Sequence, residues 1–163
     1  MSKSGVEQIR SNKTKYIATV AVIAALYVVL VLAFAGISFG QIQFRVANLL
    51  IGIVPLLGMP GVVGVTVGVF VSNMISPLGP LDLLSVIPSF IGLMLLNMLK
   101  NRSVLMGLFV YSVIVSTWVS YLVSITYNVG WLATFMYVFT GIFLATTLGG
   151  YAVFRSARRV LKH

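Results

Sequence analysis

The chain is written in long apolar runs separated by short polar breaks. Tyr16–Phe39 runs almost unbroken, as do Ser103–Tyr127 and Trp131–Phe154, and Asn128-Val129-Gly130 parts the last two. Each is long enough for a membrane helix, which needs about 20 apolar residues. Between them, Gly58, Pro60 and Gly61 make one break and Ser76-Pro-Leu-Gly-Pro80 another. This divides the region into pieces at about 42–58, 61–76 and 81–99. The first two are short for a crossing and are expected to be tilted, irregular or shielded by neighbours.

Charge fixes the count of crossings. Lys3, Arg10, Lys13 and Lys15 precede the first run, Arg155, Arg158, Arg159 and Lys162 follow the last, and Lys100 and Arg102 form one internal cluster. Positive charge collects on the cytoplasmic side, so both ends and the 100–102 turn belong there. An even number of crossings must then precede Lys100. The first run supplies one, so region 41–99 supplies three. The expectation is an all-α polytopic membrane protein with six transmembrane helices and both termini cytoplasmic. It forms a single domain over 1–163, with a basic tail at 1–15, a six-helix bundle at 16–154 and a second basic tail at 155–163. The small residues Gly64, Gly68 and Ser72, spaced by four, mark a face for close helix packing.

Composition agrees and narrows the chemistry. Of 163 residues, 60% are hydrophobic and 8% charged, against about a quarter charged in a water-soluble domain. The net charge of +9 lies at the ends of spans, without the aromatic interleaving of a nucleic-acid surface. Those ends suit anionic headgroups instead. The first run is too long for a signal-peptide core. There is no cysteine, and the single histidine is His163. Thiolate sites, zinc and haem are therefore not expected, nor is a serine–histidine catalytic pair. A phosphate-binding GxxxxGK[ST] loop is absent. With Glu7 in the tail and Asp82 the only other acid, paired-carboxylate chemistry is excluded too. No enzyme, metal or cofactor is expected in this chain.

One basic residue departs from the pattern. Arg45, in SFGQIQFRVANLL, falls on the outer side at the depth of Asp82. Charges within membrane helices are costly and are paired or functional. On a helix, Gln41, Arg45, Asn48 and Gly52 would share one stripe, as would Asp82, Ser85, Ser89 and Gly92, and Thr117, Tyr121, Ser124 and Asn128. Asn73 lies near the outer end of the third piece, and Tyr127 and Trp131 flank the last outer connection. These positions can converge on an outward-facing pocket. Two plainer readings stand beside it: an Arg45–Asp82 pair that only fixes packing, and Tyr127 and Trp131 as interfacial belt aromatics.

The stretches ISFGQIQFRVANLL and GVFVSNMISPLGPLDLL resemble the queuosine-precursor transporter family, small six-helix substrate-binding (S) components of energy-coupling factor transporters. Gln43, Phe44, Arg45, Asn73, Gly79 and Asp82 carry the resemblance. It implies a substrate site at the outer face of the cell membrane. Gln41, Gln43, Arg45, Asn48, Asn73, Asp82 and Asn128 would read the polar edge of a small planar solute, and Phe44, Tyr127 or Trp131 would stack on it. It also implies that Ala18, Ala21 and Ala25 dock a coupling transmembrane subunit, and that ATP is used by separate cytoplasmic ATPase subunits. Asn48 departs from the family, which often has Glu there. A carboxylate accepts both neighbouring N–H groups of a 7-deazaguanine, whereas Asn offers one acceptor and one donor group. The alternatives are an S component for another vitamin-like solute, a structural membrane subunit without a solute, and a small channel.

Overall fold

The computed structural model describes residues 3–39 and 43–161, with side chains from Ser11 onward. Among the described residues every element is helical. Helix α1 spans Lys3–Ala33, and a short α2 follows at Ala35–Ser38. The expected basic tail at 1–15 is thus helical from Lys3. Its Lys, Arg, Gln and Glu are good helix formers, and extending a helix already nucleated by the apolar run costs little.

The second piece is not an α-helix where it starts. Val46–Ile53 is a 3-10 helix that passes into the single α-turn α3, Val54–Leu57. Gly58, at φ 68°, stops it, and Pro60 sits in the first turn of α4, Met59–Asn73. The next piece again opens as a 3-10 helix, Gly79–Ser85, after Gly79 turns the chain at φ 71°. It continues as α5, Val86–Leu99. Ser103 caps α6, Val104–Tyr127, by accepting from the Met106 amide at 3.2 Å. Asn128 ends α6 in the left-handed conformation, φ 53° and ψ 44°, a role that suits Asn or Gly. Helix α7, Trp131–Ile142, widens into a π-helical segment, Phe143–Gly149, before α8, Gly150–Val160. The second expected tail is therefore helical as far as Val160.

By length and apolarity, four helical stretches among the described residues can cross a bilayer: Ser11–Ala33, Gly79–Leu99, Val104–Tyr127 and Trp131–Val160. Val46–Leu57 and Met59–Asn73 are shorter apolar helices.

Small residues set the closest approaches. A methyl group on Gly64 would come within 2.8 Å of Ile23 Cβ, and one on Gly68 within 2.7 Å of Tyr27 Cβ. So α4 lies flush on α1, and the Gly64–Gly68–Ser72 face packs inside the molecule. Across the bundle, a methyl on Gly52 would collide with the Gly150 carbonyl oxygen. The 3-10 segment and the start of α8 touch backbone to backbone there. The core between these contacts includes Tyr27, Ile51, Val65, Leu93, Leu108, Tyr111 and Val138.

Candidate functional site

Arg45 stands just before the 3-10 helix, in extended conformation (φ −83°, ψ 104°). It is 7% exposed, and a buried guanidinium needs several partners. Its Nη1 donates to Asn73 Oδ1 at 3.1 Å, and its Nη2 lies 3.5 Å from Asp82 Oδ2. The Phe39 ring covers the cation at 5.1 Å, a cation–π contact. Asp82, fully buried, accepts on its other oxygen from Ser85 Oγ at 2.6 Å, and Ser85 Oγ in turn accepts from Trp118 Nε1 at 3.0 Å. Asn73 Nδ2 donates to the Asp82 backbone carbonyl at 2.9 Å. One connected polar chain therefore joins α4, the Gly79–Ser85 segment and α6 to Arg45. The pair expected from equal depth exists.

A small cavity of about 10 Å³ lies beside this chain, lined in part by Tyr27, Gln43, Arg45, Asn48, Ser89 and Tyr111. That is room for about one water. Tyr27 donates to Asn48 Oδ1 at 2.8 Å, and the Ser89 and Tyr111 hydroxyls are bonded at 2.9 Å. Gln43 is 4% exposed, sits at φ 51°, and its Oε1 has no hydrogen-bond partner among the described residues. A buried acceptor left unpaired costs about 1–3 kcal/mol. Such a group at a cavity wall is an acceptor held ready for a donor.

The structure sorts the expected site residues into three groups. Gln43, Arg45 and Asn48 line the cavity. Asn73 and Asp82 do not line it, and hold the guanidinium from behind. Phe44 is half-buried outside the cavity lining, while Tyr127, Asn128 and Trp131 are exposed at the α6–α7 connection. Trp131 instead borders a shallow lateral groove with Pro88, Thr117, Trp118 and Tyr121. Gln41 lies outside the described residues. The helical stripe through Arg45 is corrected as well, because Arg45 precedes the helix. Arg45 and Asn48 still meet on one face, since the Asn48 amide donates to the Arg45 carbonyl at 2.9 Å in a three-residue 3-10 turn, and such turns eclipse positions i and i+3.

Tyr27, Tyr111, Trp118 and Phe39 join the site without having been singled out as ligands. For Tyr27, Tyr111 and Trp118 the available signal was chemical: a phenol or indole within an apolar run needs a partner for its polar tip.

The "Queuosine precursor transporter QueT" of Lactococcus lactis subsp. cremoris (strain MG1363) is 38% identical over 69 residues, which is 41% of this chain and 40% of that protein. The alignment thus covers well under half of that relative. No solved structure matches. The QueT transporter family model matches residues 17–159, from the apolar part of α1 nearly to the end of α8. Since that match takes in nearly every helix described above, the chain belongs to the QueT transporter family, whose members are transporters and not enzymes.

Proposed function

We propose that the chain is the substrate-binding S component of an energy-coupling factor transporter, and that its solute is a queuosine precursor of the 7-deazaguanine type. The carrying observation is the buried Gln43 acceptor beside a fixed Arg45 at a cavity wall. Gln43 Oε1 accepts from the solute's N–H edge, and Arg45 donates to its carbonyl. Tyr27 takes one lone pair of the Asn48 amide oxygen, and in this reading Asn48 serves the solute as a donor through its NH₂. Asn48 therefore does not replace a carboxylate, and Gln43 takes the acceptor role. Asn73 and Asp82 position Arg45. A solute-sized pocket measures roughly 300 Å³ or more, so binding opens the site, with residues 43–45 as the non-helical wall that moves.

The topology that fits this role has six crossings and both termini cytoplasmic. The 3-10 rise of about 2.0 Å per residue stretches Val46–Leu57 to roughly 22 Å, close to the length of α4 at about 1.5 Å per residue. Both are short of a 30 Å hydrocarbon core and rely on neighbours at their ends. ATP is hydrolysed by partner ATPase subunits, coupled through a transmembrane subunit on the exposed Ala18–Ala21–Ala25 face of α1.

Three experiments test this. Small molecules released from gently purified protein are identified by mass spectrometry, with a 7-deazaguanine expected. Affinity for it is then measured in Arg45→Ala, where a loss of about tenfold or more follows from removing a charged hydrogen bond. Unchanged affinity would remove Arg45 from the site. The cysteine-free chain also allows single cysteines at Pro77 and Asn101, both exposed, to be labelled from opposite sides of intact cells. Labelling from the same side overturns the topology.

A further inference from the structure

A full helix length from Asp82, the turn between α5 and α6 faces α8 across a second recess. Its volume is about 560 Å³, and Lys100, Arg102 and Arg158 line it together with Pro55, Tyr151 and Phe154. Among the described residues no carboxylate lines this recess. Among the described residues the Arg45–Asp82 pair is the only salt bridge. Lys100 Nζ donates to Asn97 Oδ1 at 3.0 Å, and the Arg158 guanidinium lies 5.9 Å from the Phe154 ring centre. Arg102 and Arg158 are exposed. Three cations around one hollow repel each other until an anion sits among them. The α6 start adds donors, since Val104 and Leu105 border the recess and first-turn amides have no partner within their helix.

The surroundings favour an anion that carries apolar chains. Leu105, which lines the recess, is exposed, and Phe109 is exposed one turn further along α6. Those side chains form an apolar track leading away from the cations along a membrane-length helix. A soluble anion has no use for that track.

We propose that this recess binds the phosphate headgroup of an anionic phospholipid, with Lys100, Arg102 and Arg158 around the phosphate and an acyl chain along Leu105 and Phe109. It is separate from the solute cavity and does not depend on the solute's identity.

Native mass spectrometry of the delipidated full chain tests it, by titration with phosphatidylglycerol and with phosphatidylcholine of the same acyl chains. The wild-type chain should prefer phosphatidylglycerol. Arg102→Gln with Arg158→Gln should weaken that lipid by about 25-fold, each cation near a headgroup being worth about fivefold. Both side chains are exposed, so the double variant keeps the fold. Lys13→Gln with Lys15→Gln removes the same charge from α1 and should leave the affinity unchanged. Equal losses in the two double variants, or no headgroup preference, would overturn the site. Displacement of phosphatidylglycerol by inorganic phosphate would assign the recess to a soluble anion and overturn the lipid proposal.

Discussion

Asp82→Asn should destabilise the protein by charge alone, and a second substitution should restore most of the loss. The change leaves Arg45 charged, 7% exposed, with Asn73 Oδ1 at 3.1 Å and the Phe39 ring at 5.1 Å as its remaining partners. Breaking one side of a buried pair costs about 3–5 kcal/mol. The lower end applies here, because the Asn amide oxygen can still accept from Ser85 as Oδ1 does at 2.6 Å. At about 2–4 °C per kcal/mol for a chain of this size, the unfolding midpoint should fall by about 6–12 °C. In Arg45→Gln with Asp82→Asn no charge is left buried, and the midpoint should return to within about 3 °C of the parent. Solute binding should stay lost in the double variant, because the guanidinium is gone. Thermal unfolding in detergent, followed by tryptophan fluorescence, gives the first quantity, and a solute titration on the same samples gives the second. A midpoint for Asp82→Asn within about 2 °C of the parent would refute the charge argument. Retained binding in the double variant would make Arg45 a packing residue.

Three further changes separate packing from binding. Gln43→Met removes the unpartnered Oε1 acceptor, so thermal stability should hold or rise by about 1 kcal/mol while solute affinity drops about tenfold or more. Unchanged affinity would take Gln43 out of the site. Gly52→Ala drives a methyl into the Gly150 carbonyl oxygen, and backbone on both sides must move. The expected loss is about 3 kcal/mol or more, read as a lower midpoint and poor folded yield, whereas Gly36→Ala, with nothing within 4 Å, should be neutral. At Asn128, φ 53°, alanine should cost about 1 kcal/mol and glycine almost nothing, measured as midpoint shifts.

What the sequence made legible depended on residues whose chemistry is local. Gly58 with Pro60, Gly79 with its flanking prolines, and Asn128 each dictate backbone conformation, and each break falls where the sequence placed it. The Arg45–Asp82 pair was legible because two isolated charges at one depth have few ways to be satisfied. Lateral position was not legible. Tyr127 and Trp131 sit outside the cavity, because which way a helix faces is decided by contacts such as Gly68 on Tyr27 and Gly92 on Tyr111. Those contacts involve pairs of residues far apart in the chain. The 3-10 start of Val46–Ile53 was hidden for the same reason: its apolar composition suits an α-helix, and the Gly52–Gly150 approach is a tertiary fact. That segment is where fold and site depend on each other. A three-residue turn brings Asn48 under Arg45, while an α-helix would rotate Asn48 about 60° away from it. Tyr27 then fixes which end of the Asn48 amide is used. On the proposed function, the turn that places Asn48 and the Tyr27 bond that engages its oxygen, and not only the identity of the side chain at position 48, together make Asn48 a donor toward the solute.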